Sequence, residues 1–81
     1  MDNKTAIIDR KVWNLIEDAS EQACAEYGVN EKEVWDDKRF GYLQEFADGL
    51  IQEVLGWGRS YESVRFSAIN YVRAVIMQFA A

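Results

Sequence analysis

Apolar residues recur at intervals of three and four along most of this chain, the spacing that places them on one face of an α-helix. The first such pattern begins at Thr5 or Asp9 and ends at Tyr27. Gly28 follows, where helices commonly end in a left-handed residue. The apolar stripe of this first predicted helix consists of Ile8, Val12, Ile16, Ala19, Ala23 and Tyr27.

A second helix start is indicated by residues 29–34. Asn30 can accept a hydrogen bond from the backbone N–H of Glu33, and the Glu33 side chain can reach back to the N–H of Asn30. Val29 and Val34 occupy the two positions of a hydrophobic staple. We predict a short helix that lasts only to about Lys38, because the charged residues 36–39 interrupt the apolar spacing.

The third pattern runs from Phe40 to Leu55, and the glycines on either side of Trp57 end it in a tight loop. Gly49 lies in the middle of this helix, where glycine costs roughly 1 kcal/mol relative to alanine. A glycine at such a position is useful where another helix approaches closely. We therefore expect a helix crossing at Gly49.

The fourth pattern begins after Ser60, which can cap it, and continues to Phe79. Its apolar C-terminal turn needs a cover, either from the first helix or from a second copy of the chain. Three long amphipathic helices with short connections bury their stripes against one another as a bundle. We predict one all-α domain over residues 1–81, a compact bundle of three long helices plus one short helix.

The composition narrows the possible chemistry. The chain has 81 residues, 49% of them hydrophobic, with no proline, no histidine and a single cysteine, Cys24. Without histidine, imidazole acid–base catalysis and Ser-His or Cys-His nucleophile pairs are excluded for this sequence, as are most zinc, copper and haem sites. We therefore expect no enzymatic activity, no cofactor and no metal.

The charge is negative and unevenly distributed. Nine Lys and Arg against 14 Asp and Glu give a net charge of −5 and an isoelectric point near 4.6. The acids of residues 17–37 are Glu17, Asp18, Glu21, Glu26, Glu31, Glu33, Asp36 and Asp37, against one base, Lys32. Such a surface either keeps a small protein soluble or meets a basic partner.

The spacing of Cys24, Gly28, Val29 and Val34 resembles that of the helix-turn-helix motif. The resemblance implies a recognition helix beginning near residue 30, although Cys24 stands where alanine is usual and Asp37 where an apolar anchor is expected. That helix would present Glu31, Glu33, Asp36 and Asp37. Carboxylates repel phosphates, and phosphate contacts supply most of the affinity for DNA. We therefore expect no direct DNA binding.

No segment favours a membrane. Residues 1–11 contain no apolar stretch of about seven residues, as a secretory signal peptide requires. The most apolar segment, residues 69–81, is too short for a bilayer and carries Asn70, Arg73 and Gln78. We expect no membrane association and a cytoplasmic location.

The leading functional interpretation is a small acidic protein that binds and inhibits another protein with a basic surface. A phage- or mobile-element-encoded antagonist of host nucleic-acid machinery fits this size and chemistry. The predicted partner-binding residues are Glu17, Asp18, Glu21, Glu33, Trp35, Asp36 and Asp37. Trp35 stands within the acidic stretch, and tryptophan is frequent among residues that dominate binding energy.

Two other functions remain open from the sequence. The C-terminal helix could supply the interface of a homodimer or a larger structural assembly. Alternatively, aromatic and cationic side chains after residue 56 could stack on and neutralise a nucleotide or another small anion. This possible ligand site or second contact consists of Trp57, Arg59, Tyr61 and Arg65.

Overall fold

A computed structural model of the protein describes residues 3–81; the first two residues of the predicted domain, Met1 and Asp2, lie outside the described residues. The helices are α1 (Asn3–Tyr27), α2 (Glu31–Val34), α3 (Asp37–Trp57) and α4 (Tyr61–Ala80). No strand occurs between residues 3 and 81. The predicted all-α bundle of three long helices and one short helix is confirmed.

The caps of α1 and α2 explain where the chain turns. α1 begins at Asn3, ahead of the predicted start, and ends before Gly28, whose φ of 66° is left-handed as expected. The Asn30 side chain accepts from the backbone N–H of Lys32 at 2.8 Å rather than from that of Glu33. The Glu33 N–H donates instead to the carbonyl oxygen of Asn30 at 3.1 Å.

The predicted end of α2 near Lys38 is wrong. The helix ends at Val34, and Asp36 caps a new helix by accepting a hydrogen bond of 2.9 Å from the backbone N–H of Arg39. The charged residues 36–39 therefore begin α3 instead of only interrupting the apolar spacing. An acidic cap and an acidic first turn suit the positive end of a helix dipole, which explains why charges gather there.

The connection between α3 and α4 is shorter than predicted. α3 continues through Trp57, so this residue is helical, and Gly58 ends the helix with a left-handed φ of 67°. Ser60 caps α4 as predicted, since its hydroxyl accepts from the backbone N–H of Ser63 at 3.2 Å. Only residues 58–60 separate the two helices.

α1 packs most extensively against α4, and the two helices run parallel. The Lys11 ammonium of α1 lies 4.8 Å from the ring centre of Tyr61, the first residue of α4, and Arg73 donates to Glu26 further along both helices. Small buried side chains let the two backbones approach: Ala19, Ala23 and Ala68. The largest fully buried side chains of the core are Val12, Ile16, Val34, Val64, Val72 and Ile76.

α3 runs opposite to α4 and touches it through large side chains. Phe46 stacks on Tyr71 with ring centres 4.1 Å apart, and the Arg39 guanidinium lies 5.3 Å from the ring centre of Phe79. The start of α3 therefore covers the last apolar turn of α4. The expected crossing at Gly49 is wrong, because this residue is exposed and no atom of another helix lies within 4 Å of where a Cβ would be.

Candidate functional site

A cleft of about 210 Å³ lies between α1, α2 and the start of α3. Its walls are formed by Trp13, Ile16, Glu17, Ser20, Glu31, Trp35, Phe40 and Leu43. Three aromatic rings and two carboxylates thus meet in one hollow, and no Lys or Arg side chain lines it. We refer to it below as the aromatic–acidic cleft.

The local structure explains how the residues that line the cleft come together. Trp13, Glu17 and Ser20 are spaced by four and three residues on α1, so they share one face of that helix. The left-handed turn at Gly28 reverses the chain and brings residues 31–43 back alongside this face. The cleft therefore forms where the short helix and its links fold back over α1.

Hydrogen bonds fix one side of the cleft. The indole Nε1 of Trp35 donates to the Ser20 hydroxyl at 2.7 Å, and that hydroxyl donates to the Glu31 carboxylate at 3.4 Å. Ser20 is buried, whereas Trp35 is half-buried and Glu31 is exposed, so both bonds are partly shielded from water. Burial raises the pKa of the neighbouring Cys24 thiol above its ordinary value, and the Glu31 charge adds to that rise. The Ser20 side chain, one turn earlier on α1, opposes this rise by a hydrogen bond, but burial dominates and favours the neutral thiol.

The opposite side is formed by Trp13 and Phe40. Their ring centres lie 6.0 Å apart with the ring planes tilted by 38°. Trp13 is half-buried against the core, whereas Phe40 is 40% exposed. A large aromatic side chain at this exposure presents apolar surface to solvent beside two carboxylates.

The carboxylates of the cleft have no cationic partner in the described part of the chain. The ion pairs within residues 3–81 are Arg39–Asp36, Arg59–Glu53 and Arg73–Glu26. Glu17 and Glu31 belong to none of them and are exposed. The cleft is therefore a site of uncompensated negative charge.

The predicted partner-binding residues do not all share this surface. Glu17 and Trp35 line the cleft, and Glu21 lies exposed one turn further along α1. Asp18 lies elsewhere, in a smaller hollow between α1 and α4 that Arg65 also lines. One predicted patch on α1 is thus divided between two faces of the helix.

The remaining acids of that set surround the start of α3. Glu33 and Asp37 are exposed, whereas Asp36 is occupied as the α3 cap and by an ion pair of 2.6 Å with Arg39. Sequence reasoning omitted Trp13, Glu31 and Phe40 from the partner site. The i, i+4 spacing of Trp13 and Glu17 was a usable signal, but the approach of Glu31 and Phe40 depends on the chain reversal.

The second predicted set is not gathered into one cavity. Trp57 is 84% exposed, and the Tyr61 ring lies beneath Lys11. Arg65 lines the hollow beside Asp18, whereas Arg59 lines a separate, open hollow of about 420 Å³. The Arg59 guanidinium is already bonded, to Glu53, Ser63 and Ser67.

Within residues 3–81, no three His, Cys, Asp or Glu side chains are grouped as a metal ion would require. Over the same residues, every helix is too short or too polar to cross a bilayer. The sequence matches no protein-family model and has no significant match to a curated protein or a solved structure. The functional argument therefore depends on the geometry of the site.

Proposed function

We propose that this chain is a non-enzymatic binding protein that holds a basic surface of another protein against an acidic surface around the cleft. The acidic surface consists of the exposed residues Glu17, Glu21, Glu31, Glu33 and Asp37. Its carboxylates attract and orient a positively charged partner, and the aromatic side chains supply contact area. The observation that carries the proposal is the meeting of three aromatic rings with two carboxylates that form none of the ion pairs within residues 3–81.

The same features favour binding over catalysis. The cleft of about 210 Å³ is smaller than the roughly 300–1,000 Å³ of typical small-molecule sites. Carboxylates that act as general acids are usually buried, whereas Glu17 and Glu31 are exposed. A partner whose basic surface is covered is unavailable to nucleic acid, so we propose competitive inhibition as the mode of action.

The test is native mass spectrometry of partners captured from a lysate of the source or host cell. A variant with Glu17→Gln, Glu21→Gln and Glu31→Gln removes three of the five negative charges of the acidic surface. A control variant with Glu45→Gln, Asp48→Asn and Glu62→Gln changes the net charge equally at exposed positions outside that surface. We expect the wild type and the control to retain one basic protein that the first variant loses.

Salt provides a second criterion for the same complex. Raising the ionic strength from about 0.1 M to about 1 M shortens the Debye length from about 10 Å to about 3 Å, so retention should fall. Equal retention by both variants, or no stoichiometric partner, contradicts the proposal.

One observation favours a second candidate, assembly through α4. Phe66 and Met77 are 70% and 50% exposed. They are 11 residues apart, which places them on the same face of the helix. Sedimentation at decreasing concentration tests this candidate, since a self-interface here predicts a larger species that dissociates on dilution and is lost in Phe66→Ser. A monomer at every concentration excludes it.

A further inference from the structure

We infer that the aromatic–acidic cleft binds the side chain of an arginine that the basic partner presents. This inference rests on the proposed function and names the group that the cleft would recognise. Glu17 and Glu31 contribute two negative charges from different helices, and the lining contains no cation to balance them. A cationic ligand removes this imbalance through charge-assisted hydrogen bonds.

The aromatic walls select among ligands. Trp13, Trp35 and Phe40 present π-systems whose faces attract cations, most strongly for tryptophan. An anion would face two carboxylates, and a neutral apolar side chain would leave their charges unbalanced. A ligand that is both cationic and able to pack on aromatic rings satisfies both parts of the lining.

Arginine fits this lining better than lysine. The guanidinium group is planar, stacks on aromatic faces and forks towards carboxylates, whereas the lysine ammonium is compact and strongly hydrated. The two carboxylates lie on separate elements, α1 and α2, so a group with several donors can reach both. A volume of about 210 Å³ suits one side chain rather than a larger ligand.

The cleft is ordered before any ligand arrives. The bond from Trp35 to Ser20 holds one aromatic wall, and the contact between Trp13 and Phe40 holds the other. The nearby Arg39 is occupied by Asp36 and Phe79 and does not line the cleft. Preorganisation of this kind lowers the entropic cost of binding.

The experiment uses the full chain and three acetylated, amidated tripeptides with arginine, lysine or citrulline between two glycines. Citrulline keeps the shape of arginine but has no charge. Binding is followed by the NMR signals of the three indole N–H groups, of which that of Trp57 is an internal control outside the cleft. We expect the arginine peptide to shift the signals of Trp13 and Trp35 but not that of Trp57.

The affinities give the decisive comparison. We expect millimolar binding of the arginine peptide and binding about tenfold weaker for the citrulline peptide, because citrulline brings no charge to the two exposed carboxylates. The variants Glu17→Gln and Glu31→Gln should each weaken arginine binding about threefold, because each removes one of these two charges. Glu45→Gln is the matched control, since Glu45 is exposed on α3, lies outside the acidic surface and does not line the cleft, and should change affinity less than about twofold.

Equal affinity for the arginine and citrulline peptides overturns the inference, and so does an equal loss in Glu31→Gln and Glu45→Gln. Lysine bound as tightly as arginine overturns the assignment of a guanidinium ligand. If partner capture depends on the acidic surface but the arginine peptide shifts neither Trp13 nor Trp35, the proposed function stands and this inference fails. If the peptide binds but no partner is captured, the arginine site stands and the proposed function fails.

Discussion

The Trp35 indole N–H donates a hydrogen bond of 2.7 Å to the Ser20 hydroxyl, fifteen residues earlier in the chain. The bond joins the link between α2 and α3 to the middle of α1. Ser20 is 3% exposed, so water does not compete for it. A single polar contact thus holds one wall of the aromatic–acidic cleft.

Removing this contact should destabilise the fold. In Ser20→Ala the half-buried Trp35 N–H loses its acceptor, which costs about 1–3 kcal/mol of unfolding free energy. Trp35→Phe removes the donor and some packing. Urea unfolding of the two single variants and the double variant measures their coupling, and we expect the double variant to lose less than the sum. Strict additivity would show that the two groups do not stabilise each other.

Replacement by alanine at Gly49 and at Gly58 should change the stability of the protein in opposite directions. Gly49 is helical and exposed with open space at its Cβ position, so Gly49→Ala should stabilise the protein by about 0.5–1 kcal/mol. Gly58 has a φ of 67°, so Gly58→Ala should destabilise it by about 1–2 kcal/mol. Thermal unfolding of both variants checks this, and a loss of stability in Gly49→Ala would contradict the open environment.

The end of α4 offers a neighbouring pair that differs in burial. Ile76 has no exposed surface, so Ile76→Val should cost about 0.5–1.5 kcal/mol through the lost methylene and the space it leaves. Met77 is half exposed, and Met77→Ala should change stability by no more than about 0.5 kcal/mol. Chemical denaturation distinguishes the two, and a larger loss at Met77 would indicate an interface there.

The contribution of Glu26 to the free energy of unfolding should depend on pH. Arg73 donates hydrogen bonds of 2.7 and 3.1 Å to its carboxylate, and these bonds and the Arg73 charge lower the pKa of Glu26 below its ordinary 4.5. A lowered pKa in the folded state stabilises the protein above the unfolded value, and this contribution is lost as the pH falls through the folded value.

The variant Glu26→Gln should therefore unfold more readily than the wild type at pH 7 and equally readily once the pH lies below the lowered pKa. The difference in unfolding free energy between the variant and the wild type should be small and should decrease with added salt, because this ion pair is on the surface. A gap that persists in acid would show that the side chain acts through packing instead.

The fold was largely predictable from the sequence because local signals agreed with the packing. The apolar stripes of α1, α3 and α4 follow from the spacing of apolar residues. Gly28 ends α1 in a left-handed conformation and Ser60 caps the start of α4, as these residue types favour. The failure at residues 36–39 has a local cause, since Asp36 can be counted either as a break in one helix or as the cap of the next.

The candidate site was less predictable because it depends on contacts across the chain. Acidity indicated the general surface, but Asp18 and Glu17 are adjacent in sequence and face different hollows. Glu31 belongs to the acidic stretch but was not predicted to be a partner-binding residue. The residues around it in the sequence do not indicate that the turn at Gly28 brings it next to Ser20. The charge composition indicates an acidic surface, whereas the reversal of the chain at Gly28 determines which acidic residues lie next to one another.

The parallel pairing of α1 with α4 has a consequence for folding. Glu26 and Arg73 are 47 residues apart, so formation of the main interface closes a long loop, whose entropic cost slows folding. During synthesis, α1 can contact α2 and the start of α3 first, whereas its main partner, α4, follows them in the chain. We therefore expect the nascent chain to leave part of the apolar stripe of α1 accessible to chaperones until the fourth helix emerges.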